Sequence, residues 1–237
     1  GENMVEIATP EIIVAPAWGD LERLNREREL VGIYLSAHPL DEYAVILKHV
    51  CNVQMAELND LTPLQNRDLV MGGIVTGVRE GQTKKGNPFG IAKVEDYSGS
   101  TEFAFFGSDW VEKKSFFNTG MFLYMKGKCQ PKQWRQDEFE VKVNSIELLP
   151  EVKDKIIEKL TITAPLSVVD EEMIEELDAL IKAHPGNAEL CFNIQDEEGQ
   201  MYINMMSRTL KIAVHKEIMS YLEDGELMVI KFKAKKK

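Results

Sequence analysis

A change of hydrophobic period at residue 68 constrains this chain more than any other feature. Upstream, apolar residues recur every three or four positions, as on a helix; from residue 68 to 149 they alternate, as on a strand with one buried face. Val70, Ile74, Thr76 and Val78 are expected on one face of a first strand, with Gly72, Gly73 and Gly77 admitting a bulge and sharp curvature. Residues 89–96 and 101–106 give a second and a third strand, joined by the turn Tyr97-Ser98-Gly99-Ser100. Residues 109–118 leave room for one or two helical turns, and residues 121–129 and 139–149 give two more strands. Between the first two strands lies a glycine-bounded loop, Gly81-Gln82-Thr83-Lys84-Lys85-Gly86-Asn87-Pro88, with adjacent lysines at its centre.

Three strands, a short helical connection and two further strands is the order of an OB barrel. That fold takes oligonucleotides on its second and third strands and in its first and last hairpin loops. Basic and aromatic residues fall at those places: Arg79, Lys84, Lys85 and Lys93 around the first loop, Lys132, Trp134 and Arg135 in the last, and Phe89 and Phe103 on the strands. An exposed ring stacks on a base without regard to its identity while lysines neutralise phosphates, a combination suited to a single strand. The competing reading puts the rings in the core and leaves the lysines solvated, making the barrel a structural or protein-docking module. A net charge of −11 argues against nucleic acid, which needs a basic surface. The acidity lies elsewhere, however, because residues 68–150 hold 11 basic and 11 acidic side chains.

The flanks complete a multidomain α+β organisation. Residues 1–17 hold Pro10 and Pro16 and read as an extended lead-in. Residues 18–67 form a helical segment: one helix capped by Asp20 buries Leu21, Leu24, Val31 and Leu35, and a shorter one capped by Asp41 buries Tyr43, Ile46, Leu47 and Val50. Residues 151–157 read as a short charged linker. Residues 158–237 form a small C-terminal unit of order βαββαβ, the split, ferredoxin-like pattern. Its strands are expected at 160–165, 189–194, 201–206 and 227–232, with helices after Asp170 and over 210–222.

Little in the chain suggests catalysis or a metal. Ser36, His38 and Asp41 cluster in sequence, but caps and a turn explain them better than a triad, which requires a defined spatial arrangement. His49, His184 and His215 stand alone in the sequence and read as structural, and Cys51, Cys129 and Cys191 lack disulfide or zinc spacing. No apolar run approaches the roughly 20 residues that span a bilayer, so a soluble, cytoplasmic protein without membrane contact is expected.

Three motifs in order carry a resemblance. The run Glu29-Leu30-Val31-Gly32-Ile33-Tyr34-Leu35-Ser36-Ala37-His38-Pro39-Leu40-Asp41, then Thr83-Lys84-Lys85-Gly86-Asn87, then Val94-Glu95-Asp96-Tyr97-Ser98-Gly99 resembles the C-terminal part of bacterial DNA polymerase III alpha subunits. The family pattern often has glycine where Ala37 stands. The resemblance implies an OB domain that contacts single-stranded template, with Lys84 and Lys85 matching the basic pair of its first loop. It also implies a C-terminal domain that docks the clamp-loader tau subunit, within the rest of the polymerase holoenzyme; that contact is expected on the last helix, last strand and tail. The catalytic carboxylates of that DNA-directed DNA polymerase, a nucleotidyltransferase, and the Mg2+ they hold belong to a domain absent from these residues. The chain itself is therefore expected to be catalytically silent and without a cofactor.

Overall fold

The structure, a computed structural model, describes residues 20–31, 34, 37–133, 135–196, 201–225 and 229–234. It divides into two units, Gly1–Pro39 and Leu40–Lys237. In the first, α1 (Asp20–Val31) buries Leu24 but exposes Val31, which the helical pattern had placed inward. The side chains of Leu21, Leu35 and Ser36 lie outside the described residues.

The second unit opens with a 3-10 turn, Asp41–Tyr43, running into α2 (Ala44–His49), which buries Tyr43 and Ile46. Asp41 is not a cap: its Oδ1 accepts a hydrogen bond from the Tyr97 hydroxyl at 2.9 Å. Five strands follow: β1 (Asp68–Gln82), β2 (Pro88–Glu95), β3 (Ser100–Phe106), β4 (Phe122–Lys132) and β5 (Arg135–Leu148), with α3 (Ser108–Lys113) between β3 and β4. They form one antiparallel sheet in the order β3-β2-β1-β4-β5, the architecture of an OB fold. The long β1 pairs with β4 through its first half, Asp68–Ile74, and with β2 through its second.

The inward face of β1 differs from a simple alternation. Leu69, Met71 and Val75 point into the core, and a register shift between Val75 and Gly77 then brings Val78 to the same side. One extra residue reverses every later side chain, so Ile74 and Thr76 do not share a core face with Val78. The barrel core gathers Leu69, Met71, Val94, Phe103, Phe105, Trp110, Phe117, Leu123 and Met125. Trp110 lies across Gly90, where a Cβ would come within 2.4 Å of its ring.

Residues expected as a linker form a helix instead. Leu148 is extended, Pro150 sits in the first turn of α4 (Leu149–Ile156), and Leu149, Val152 and Ile156 are buried on its inner face. The charged residues that suggested a linker, Glu151, Lys153, Asp154 and Lys155, are the wet side of that helix.

The C-terminal residues run β6 (Ile157–Pro165), α5 (Glu171–Ala183), β7 (Pro185–Asp196), β8 (Met201–Ile212), α6 (Lys216–Asp224) and β9 (Val229–Ala234). Asp170 caps α5, accepting the Met173 N–H at 2.8 Å. Residues 210–212, expected to open the last helix, belong to β8. The order βαββαβ stands, but the sheet is β8-β7-β6-β9 with β6 and β7 parallel neighbours, whereas a split pattern would seat β8 between them. The reason is apolarity. Leu160, Ile162, Leu190 and Ile194 suit central strands, while β8 has most of its side chains exposed and takes the edge. Lys48 pairs with Glu223 at 2.5 Å and the His49 ring packs on Phe232, 4.6 Å between centroids, so this sheet and α2 belong to one body.

Candidate nucleic-acid interface

The first loop is a tight hairpin whose geometry comes from its polar and glycine residues. The Gly86 N–H donates to the Thr83 carbonyl at 2.8 Å, the Thr83 N–H to the Asn87 carbonyl at 2.8 Å, and the Asn87 N–H to the Thr83 hydroxyl at 3.2 Å. Gly86 sits at φ +79°, a conformation side chains disfavour. Lys84 and Lys85 are thus carried at the tip, both exposed, and form no ion pair among the described residues.

Strand pairing decides which aromatics are available. Phe89 is opposite Phe106 in the β2–β3 ladder, on the outer face, with ring centroids 6.1 Å apart. Phe89 also lies over Gly81, where a Cβ would stand 3.2 Å from its ring. Phe106 is 59% exposed. Phe103, expected to stack on a base, is instead 5% exposed in the core with Phe105. Alternation through Phe103, Phe105 and then Phe106 puts the first two inward and the last outward, so Phe103 offers no exposed ring.

Three of the other basic residues, Arg79, Lys132 and Arg135, are held by carboxylates. Arg79 donates to both oxygens of Glu102, at 2.9 and 3.0 Å. Lys132 and Arg135 converge on Glu138, at 2.6 and 2.5 Å, and their hydrogen bonds hold its carboxyl below the usual carboxylate range. Lys93 is exposed on the outer face, opposite Glu102 in the ladder. Trp134 lies outside the described residues. A cleft of about 1120 Å³ opens between β3 and β5, lined by Phe106, Asp109, Gln130, Lys132, Glu140 and Lys142 among others. The structure therefore brings Arg79, Lys84, Lys85, Phe89 and Lys93 together around β1–β2, with Phe106 joining them to the Lys132 cleft. Phe106 and Lys142 escaped the sequence reading.

The other motif residues hold the backbone together. Asp96 Oδ1 accepts from the Ser98 N–H at 2.8 Å, the Ser98 hydroxyl at 2.5 Å and the Gly99 N–H at 3.2 Å, while Oδ2 accepts from the Met55 N–H at 2.9 Å. The Ser98 hydroxyl oxygen in turn accepts the Ala56 N–H at 3.0 Å. With Tyr97 on Asp41, this turn fastens residues 41–56 to the barrel. The Cys51 thiol is pushed up to about 12 by burial and then by Asp96, which leaves it an unreactive thiol.

His184 and His215, isolated in the sequence, meet in space. Their rings stack at 4.3 Å and 12°, and His184 Nε2 lies 2.9 Å from Glu217. These three residues are the metal-ligand-like cluster among the described residues. A ring nitrogen's lone pair lies in the ring plane, so two parallel stacked rings do not direct both lone pairs at one ion. As placed, the group joins the end of α5 to the start of α6.

Comparison with known proteins adds likenesses over both domains. Residues 160–233 match the family model described as DNA polymerase III alpha subunit, C-terminal domain, and residues 69–149 match OB-fold nucleic acid binding domain. The chain is similar to proteins named DNA polymerase III subunit alpha. It is 28% identical to that of Halalkalibacterium halodurans over 78% of this chain and 16% of the relative, and 28% identical to that of Vibrio cholerae over 71% and 14%. A third, from Treponema pallidum, is 30% identical over 44% of this chain and 9% of the relative. The chain thus spans about 16% or less of the length of these relatives. Among the described residues no helix is long and apolar enough to cross a membrane.

Proposed function

We propose that this chain is the C-terminal region of a DNA polymerase III alpha subunit, to which its two domains and its relatives are similar, and that its OB domain contacts single-stranded template DNA during chromosomal replication. Bases stack on Phe89 and Phe106, and the Lys84–Lys85 hairpin and Lys93 take the phosphates. Arg79, Lys132 and Arg135 join only when phosphate displaces Glu102 or Glu138. The observation that carries this reading is the outward pair of phenylalanines beside a basic hairpin without ion pairs among the described residues, on the strands with which OB folds hold oligonucleotides.

The neutral barrel makes the contact weak, a guide for template held by the rest of the polymerase. The C-terminal domain, acidic at 11 basic to 15 acidic residues over 155–237, docks the clamp-loader tau subunit instead of DNA. Cytoplasmic location follows from that role. Polymerisation, with its metal ions, is the work of the remainder of the subunit and holoenzyme.

The second reading, a structural or protein-docking OB module, draws on the carboxylates that already neutralise Arg79, Lys132 and Arg135. Fluorescence anisotropy of a labelled single-stranded oligonucleotide at low and moderate salt separates the two. Binding that weakens steeply with salt supports template contact; no binding at low salt supports docking.

A further inference from the structure

We infer that the outer edge of β8, which has no neighbouring strand among the described residues, together with the groove between it and α5, is a protein-docking surface for an extended apolar segment flanked by lysine or arginine, which adds to the sheet beside β8. The inference rests on the reading of the C-terminal domain as a docking module and names the surface and the chemistry of its occupant. It moves the contact away from the last helix, last strand and tail expected from sequence.

Three observations converge. First, Met201, Tyr202, Ile203, Met205 and Met206 are all between 47% and 69% exposed on an edge strand. This half of β8 pairs with Cys191–Asp196 of β7 without a register shift and contains no proline. Such an edge, long, regular and apolar, is a template for another strand, and natural proteins cover it or charge it. Second, an apolar groove of about 290 Å³ lies alongside, lined by Met173, Ile174, Leu177, Phe192, Ile194 and Met205. Ile174, at 55% exposure, offers most of its side chain to a visitor.

Third, the charges beside the groove are acidic. Glu171, Glu175 and Asp178 flank Ile174 at helical spacing along one side of α5, and the helix's single basic residue, Lys182, is taken by Asp178 at 2.6 Å. An acidic ridge beside an apolar trough selects a segment with apolar anchors and basic flanks, and repels nucleic acid. It also disfavours a second copy of this chain, because pairing two β8 edges about a twofold axis brings two acidic α5 helices together. Backbone pairing with β8 supplies affinity, and the trough reads alternate side chains.

Hydrogen–deuterium exchange of the full chain with purified clamp-loader tau subunit is the test. The expected result is slowed exchange at residues 201–206 and 171–178, with binding weakened at least about tenfold by Ile203→Lys with Met205→Lys and by Glu171→Lys with Glu175→Lys. Both pairs are exposed, and circular dichroism checks that the fold is kept. Tau binding with protection confined to residues 216–237 and unchanged affinity of the variants would overturn the surface while leaving tau docking intact. If tau does not bind, docking by tau fails, and an octapeptide of alternating isoleucine and lysine decides the surface. Binding of that peptide in preference to its isoleucine–glutamate counterpart, with protection of β8, upholds it; no preference up to about 1 mM overturns it. A concentration-dependent dimer protected at β8 overturns the choice of occupant.

Discussion

Replacing Lys84 and Lys85 by alanine tests the interface through a quantity that does not depend on absolute affinity. For single strands, each phosphate neutralised by a protein cation contributes a slope of about −0.7 to log K against log salt. Both lysines are exposed and without ion pairs among the described residues, so each is available for one phosphate. The double variant should therefore bind with a slope shallower by about 1.4. Between 50 and 200 mM salt, wild type should lose about sevenfold more affinity than the variant. The hairpin itself is held by Thr83, Gly86 and Asn87, so its shape should survive. Glu138→Gln is the complementary change: it releases Lys132 and Arg135 and should raise affinity and steepen the slope. Fluorescence anisotropy across a salt series reads both. A double-alanine slope within about 0.3 of wild type, with the fold intact, would refute the assignment of phosphate contacts to this hairpin.

Inward Phe103 and outward Phe106 should separate cleanly: Phe106→Ala should cost about 1–3 kcal/mol of single-strand binding with little loss of stability, whereas Phe103→Leu should lower stability by about 1 kcal/mol and leave binding alone. Calorimetry beside anisotropy measures both. Asp96→Ala removes an acceptor of four hydrogen bonds and should destabilise by about 2–3 kcal/mol, lowering Tm by roughly 4–12 °C in a thermal scan; an unchanged Tm would mean the turn does not fasten residues 51–56. Burial, then Lys48, lowers the His49 pKa from its ordinary value of 6.5, so the unfolded chain binds the proton more readily. That contribution to stability is present above about pH 6.5 and is lost as pH falls below it toward the folded value; denaturant midpoints at pH 7.5 and 5.5 should differ less in His49→Gln.

The barrel was legible because alternation, glycines and turn residues all specify the same strands. Asp96-Tyr97-Ser98-Gly99 reads as a turn whatever surrounds it, and the strand order follows from the spacing of such turns. Parity was not legible. A single bulge near Thr76 reverses the later half of β1, and nothing local fixes where a strand gains its extra residue. On β3, which has no bulge, only the pairing with β2 shows that Phe103 faces in and Phe106 faces out. Residues 149–156 misled for a different reason: their charges are surface charges of a helix whose three buried residues, Leu149, Val152 and Ile156, sit among them at helical spacing. In the C-terminal domain the element order was readable from periodicity and caps, but the neighbour of each strand depends on which strands are apolar enough for the centre. Contacts across long separations, such as the Tyr97 hydroxyl on Asp41 or His184 stacking on His215, appear only once the chain is folded.

The central claim, that the outer face of β1–β3 is where a single strand lies, is tested most directly by following backbone amide resonances during titration with a short oligothymidine. Shifts should concentrate in residues 83–87, 89–93 and 102–106 and reach the cleft at 130–133, with residues 160–234 unmoved. Shifts confined to residues 160–234, or none at low salt, would contradict it.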